Sequence, residues 1–208
     1  MTGLLQDLAL VAFVLSVAIR LPWAVGALVL GRRPLALRLA GELGVVVALY
    51  AAALLAFSLA SREHVLPPGV EKSVAGFDPH LHYRVADPVR VVPEGGVEVT
   101  VRLRSDARRA VQDAGTLTAW LVDRAGRRWP PATSSAGARD ANGWLRPFAL
   151  RLAPGDSSAV TLQFLPEGPV DGMRLLVEEG GFPCTLTLGH EASPLHRKTY
   201  FALEPAGS

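Results

Sequence analysis

The chain holds a single cysteine, Cys184, in 208 residues. An intramolecular disulfide is therefore excluded, and the folded part must hold together by its core alone, even in an oxidising compartment. Asparagine is equally scarce: Asn142, in Asn-Gly-Trp, is the sole one, so no glycosylation sequon exists. An excess of one charge is missing too. The formal net charge is +2, and the arginines are scattered rather than blocked, which argues against nucleic acid as a partner. There is no Gly-x-Ser-x-Gly, no metalloprotease helix and no phosphate-binding glycine loop. No catalytic residues can be nominated, and the expectation is a non-enzymatic role.

What the chain does have is hydrophobicity in one place. Half of the residues are hydrophobic, and the excess is concentrated in the first 60. Two runs, about 8–30 and 39–60, are long enough to cross the ~30 Å hydrocarbon core as helices rising ~1.5 Å per residue. The second run is uncharged from Val45 to Phe57, with Glu42 near its start. Arg20, followed by Pro22, interrupts the first. Either Arg20 lies mid-membrane, where a charge is expensive and usually functional, or the span runs from about Leu4 to Ile19 and Arg20 snorkels to the interface. An Arg20–Glu42 pair between the two helices is a further candidate. Ala48, Ala52 and Ala56 recur at a spacing that suits close helix packing.

Arg32, Arg33 and Arg38 lie between the spans, and no Lys or Arg precedes the first. The positive-inside rule then makes the short loop cytoplasmic and puts residues 62–208 outside. The expected organisation is a two-helix anchor over 1–61, a linker over 62–75 marked by Pro67-Pro68-Gly69, and an extracytoplasmic domain over 76–208.

That domain reads as all-β. Val97, Val99, Val101 and Leu103 alternate with polar residues, as do Leu117, Ala119 and Leu121, and Val160, Leu162 and Phe164. Shorter strands are expected at 80–92, 145–152, 173–179, 184–189 and 199–203, with a long loop over 130–143 rich in Pro, Ser, Ala and Gly. Seven or eight short strands separated by turn signals favour an antiparallel β-sandwich.

Three stretches carry a resemblance. They are Leu121-Val122-Asp123-Arg124-Ala125-Gly126-Arg127-Arg128-Trp129; Leu152-Ala153-Pro154-Gly155 followed by Val160 to Pro166; and Leu175-Leu176-Val177. Together they resemble the immunoglobulin-like domains of unknown function of bacterial envelope proteins and lipoproteins, over about residues 80–205. The motifs imply an immunoglobulin-like sandwich and specify no activity. The whole chain is also similar to a group of two-span bacterial membrane proteins of unknown role, ending in a segment like Leu195-His196-Arg197-Lys198-Thr199-Tyr200-Phe201. That group often carries Cys-x-x-x-Cys-His where this chain has Ala75, Pro79 and His80, so only the histidine is kept.

Three sets of side chains are candidate sites. His80 and His82, two apart on a strand, share a face and with His190 or His196 would hold copper or zinc; Arg84 on the same face opposes a cation. Cys184 shares strand parity with Leu186 and Leu188 and is expected as a small buried hydrophobe. Trp129 and Trp144 flank the 130–143 loop and Trp120 has the parity opposite Leu121; exposed aromatics beside a loop mark a binding patch, and the alternative is that all three pack over the end of the sandwich. The functional expectation is a non-catalytic binding or accessory module, set in the lipid bilayer of a bacterial inner membrane and contacting another envelope protein. The alternative is a metal-handling or redox-related protein with a histidine site.

Overall fold

The structure, a computed structural model, describes residues 2–74, 80–86, 89–92, 95–180 and 184–203, and of residues 2–4 the backbone alone. The chain divides into two compact units: Met1–Ser61 with Phe182–Arg197, and Arg62–Gly181 with Lys198–Ser208.

The first unit is built on two apolar helices, α1 (Thr2–Val29) and α2 (Arg33–Ala60). Both are long and apolar enough to cross a membrane. Each has 28 residues, about 42 Å of helix. α1 starts earlier than the expected 8–30 and stops at Val29, while α2 begins at Arg33 rather than near 39 because the turn between the helices is very tight. The amide of Gly31 reaches the Leu28 carbonyl at 3.0 Å and that of Arg32 the Ala27 carbonyl at 2.8 Å, the two bonds of a Schellman motif. Gly31 has φ +73°, which a residue with a Cβ adopts only under strain. Pro34 in the first turn starts α2. Arg33 and Arg38, expected in the loop, thus belong to α2. Pro22 does not end α1.

The rest of this unit, 184–197, is not the expected strand. A 3₁₀ turn over Cys184–Leu186 begins a series of three-residue steps. The amides of Thr187, His190, Ser193 and His196 bond back to the carbonyls of Cys184, Thr187, His190 and Ser193 at 2.9–3.3 Å. These turns satisfy the backbone locally. The strap lies on α1 and α2: the Tyr50 hydroxyl donates to the Leu186 carbonyl at 2.6 Å, and the Tyr50 ring stacks on Phe13 at 4.1 Å. A Cβ on Gly189 would come within 2.6 Å of the Gln6 amide. Alternating Cys184, Leu186 and Leu188 imitate a strand, yet Cys184 is only half-buried.

The second unit contains the strands β1 (His64–Leu66), β2 (Lys72–Ser73), β3 (Leu81–Val85), β4 (Arg90–Val91), β5 (Val97–Ser105), β6 (Gln112–Asp113), β7 (Leu117–Val122), β8 (Arg128–Trp129), β9 (Thr133–Ser134), β10 (Ala138–Arg139), β11 (Leu145–Arg146), β12 (Arg151–Leu152), β13 (Ser157–Phe164), β14 (Arg174–Glu179) and β15 (Thr199–Ala202). One sheet runs β2-β3-β5-β13-β9, with β4 also on β5; the other runs β1-β15-β14-β7-β8. Two short ribbons, β10-β11 and β12-β6, complete the set. The result is a β-sandwich, as the alternation predicts.

The alternation also fixes which residues meet. Val97, Val99, Val101 and Leu103 of β5, Val160, Leu162 and Phe164 of β13, and Leu117, Ala119 and Leu121 of β7 share one core. Tyr83 and Phe201 meet between the layers, rings 5.7 Å apart. Each such side chain contributes about 1.5–3 kcal/mol on burial, which lets the fold stand without a disulfide.

Three expectations change here. The segment 62–75 is not a free linker, since β1 and β2 flank Pro67-Pro68-Gly69 and pair with β15 and β3. The sandwich is not wholly antiparallel: β1 and β15 run parallel. The stretch 130–143 is not an open loop, because β9 pairs with β13 and β10 forms a hairpin with β11.

Candidate functional site

The three tryptophans do not form one patch. β7 and β8 pair Leu121 with Trp129, so Trp129 turns to the inner face and packs half-buried on the core. Trp120 has the opposite parity and packs on Val122, Leu176 and Tyr200. Trp144 alone is displayed, at 70% exposure. It ends the tight turn of the β10-β11 hairpin. There the Asp140 amide donates to the Trp144 carbonyl at 2.9 Å, and Gly143 closes the turn on the Asp140 carbonyl at 3.0 Å. The Asp140 carboxylate accepts from the amides of Asn142 at 2.9 Å and Trp144 at 3.0 Å. Arg139 donates to the Gly143 carbonyl at 2.8 Å. Asp123–Gly126 is built the same way: the Gly126 amide reaches the Asp123 carbonyl at 3.1 Å, and the Arg127 amide reaches the Asp123 carboxylate at 2.8 Å. Asp-x-x-Gly is thus the local rule that makes both hairpins, and in the second it holds an aromatic out in solvent.

The histidines divide between the units. His80 and His82 converge on Asp106, which the sequence reading missed. His80 Nδ1 donates to Oδ1 at 2.7 Å and His82 Nε2 to Oδ2 at 2.9 Å. The cause lies in the strand register: β3 pairs Leu81 with Ser105, so the residue after Ser105 falls beside the histidines. The His80 hydrogen bond, then that of His82, holds the Asp106 carboxyl below the usual carboxylate range. His80 also lines a groove with Ala107, Arg108, Arg109 and Ala110. Ala75 and Pro79 lie outside the described residues.

His190 and His196 sit on the strap of the helical unit. The Ala192 amide donates to His190 Nδ1 at 2.9 Å. His196 Nδ1 meets the Arg197 carbonyl at 2.6 Å.

Arg20 and Glu42 each find a partner one turn away in their own helix. Arg20 bonds the Ser16 hydroxyl, and Glu42 accepts from Arg38 at 3.1 Å. No Arg20–Glu42 contact occurs among the described residues, which corrects that candidate pair: the local i,i+4 partner is reached first.

The chain is thus a pair of apolar helices carrying a β-sandwich. Similar solved structures include a secreted protein of Mycobacterium tuberculosis, with 13% identity and TM-score 0.41 over 60% of this chain and 94% of that one. Another is an uncharacterised β-sandwich protein of Clostridium difficile, with 7% identity and TM-score 0.37 over 68% and 94%. No family model matches the chain, and no curated protein does.

Proposed function

We propose that this chain is a membrane-anchored, extracytoplasmic binding module of the bacterial envelope, non-catalytic, that grips another envelope protein through the Trp144 hairpin. The observation behind this reading is the display of a large aromatic at 70% exposure on a turn held by its own hydrogen bonds. Tryptophan is enriched among residues that dominate binding energy, and a turn already fixed loses little entropy when a partner closes over it. The apolar helices act as the anchor, with the Gly31 turn in the cytoplasm and the immunoglobulin-like sandwich outside.

The test is crosslinking of the tagged full-length protein in native membranes, with mass spectrometry of the captured partners. Trp144→Ser should lose a stoichiometric partner while the thermal melt stays that of the parent. Equal capture by the variant would sink the Trp144 reading. A periplasm-active reporter fused after residue 208 should be active; an inactive fusion would overturn the orientation.

The Asp106 cluster favours a second reading, in which His80, His82 and Asp106 take copper or zinc. Two imidazoles and a carboxylate suit such ions. Elemental analysis of the purified protein decides it: stoichiometric metal, lost in Asp106→Ala, supports this reading, and substoichiometric metal removes it.

A further inference from the structure

The outer face of the β2-β3-β5 edge breaks a rule of sheet design. The register of β3 on β5 sets Arg84 directly across from Arg102 and His82 across from Arg104. Like charges facing one another across strands destabilise the pair. Two nearby arginines are matched: Arg104 bonds Glu71 at 3.0 Å, and Arg90 faces Glu98 in the register of β4 on β5. Arg84 and Arg102 have no ion pair among the described residues, and the buried Nε of Arg84 has no hydrogen-bond partner among them. A local conflict kept in an otherwise consistent sheet marks a functional position. Arg102 is exposed and Arg84 half-buried on this face, with Glu71 also in the field of Arg84; two arginines on one sheet face suit an oxygen-rich anion.

We infer that this face docks on the anionic headgroups of the bilayer in which the helices sit. The inference rests on the reading of α1 and α2 as membrane spans. Chain connectivity favours the lipid over a soluble acidic partner. α2 ends at Ala60 and β1 begins at His64, so about 10 Å of extended chain at most joins span to sandwich. Headgroup phosphates are therefore always close to this unit at high effective concentration. Basic side chains near an anionic surface add their attractions, and salt screens them.

The experiment uses the full chain with Cys184→Ser and Thr100→Cys. Thr100 lies on the same outer face of β5, partly exposed, and carries an environment-sensitive fluorophore. The protein is placed in nanodiscs of phosphatidylcholine alone, or with one third phosphatidylglycerol. The expected result is a blue-shifted emission in the anionic discs only, reversed by high salt and abolished by Arg84→Gln with Arg102→Gln, each variant keeping the parent circular dichroism. Identical emission in both discs, or a shift that survives the double substitution, overturns the docking. A shift in neutral discs produced by inorganic phosphate or by polyglutamate replaces the lipid with a free anion or an acidic protein. Failure of the chain to enter nanodiscs at all overturns the membrane reading itself and the docking with it.

Discussion

Phe201 offers the sharpest test of the sandwich, because it lies beyond the strap, in a strand that rejoins the sheet. The ring is 1% exposed. β15 pairs it with Leu175 on one side and Leu66 on the other, and it meets Tyr83 of the opposite layer at 5.7 Å. Phe201→Ala removes that burial and leaves a cavity between two sheets that cannot collapse without breaking register. The expected loss is about 3–5 kcal/mol. For a unit of this size each kcal/mol moves the midpoint by roughly 3–5 °C, so the melt should fall by roughly 10–20 °C. Thermal unfolding in mild detergent, followed by tryptophan fluorescence, reads it, since Trp129 packs on the same core. Leu165→Ala, at a position 53% exposed, is the control and should change stability by less than about 0.5 kcal/mol. If Phe201→Ala melts with the control, β15 is not part of this core and the chain does not return to the sheet as described.

Two further outcomes follow from the geometry. The Asp106 carboxyl is held low by His80 and His82, so its stabilising contribution is complete above the ordinary carboxylate value and is lost as pH falls through its own lower one. The melting difference between the parent and Asp106→Asn should shrink on titration from about pH 5 towards pH 2; a difference that widens over that range would reverse the assignment. Tyr50→Phe takes the hydroxyl from the Leu186 carbonyl and should weaken the strap by about 1 kcal/mol. Amide exchange over 184–197 should quicken by roughly fivefold, and unchanged exchange would show that the hydroxyl holds nothing.

The long strands were legible in the sequence because burial there is one-sided. β5, β7 and β13 repeat apolar residues at period two, and only one register buries them. The helices were legible for the converse reason, since they carry apolar residues on every face. The strap defeated pattern reading: Cys184, Leu186 and Leu188 alternate like a strand, while the turns that form there repeat every three residues and bury the polar Thr187, His190 and Ser193. β1 and β2 were hidden by brevity, three and two residues around a Pro-Pro-Gly turn. Asp106 was invisible because its role depends on the cross-strand register of β3 and β5, which no single stretch encodes. Trp144 was nominated from its place beside a loop. Strand parity separates Trp120 from Trp129, and Trp144 stands apart because it ends the turn of a separate ribbon; the Asp-x-x-Gly pattern shared by 123–126 and 140–143 is the local signal for the turn that presents it.

The position of β15 has a consequence for how the protein is made. It lies between β1 and β14 in the sheet, yet more than 130 residues separate His64 from its partner Thr199. At ~5–20 residues per second, on the order of ten seconds pass between synthesis of the two strands. During that interval β1 has no neighbour in the sheet, and over its last stretch, from Glu179 to Thr199, β14 keeps a bare edge as well, the kind of surface that recruits foreign strands. A chain cut anywhere between Glu179 and Thr199 leaves β1 and β14 without the strand that joins them, and the expected product is aggregation-prone rather than a shortened working protein.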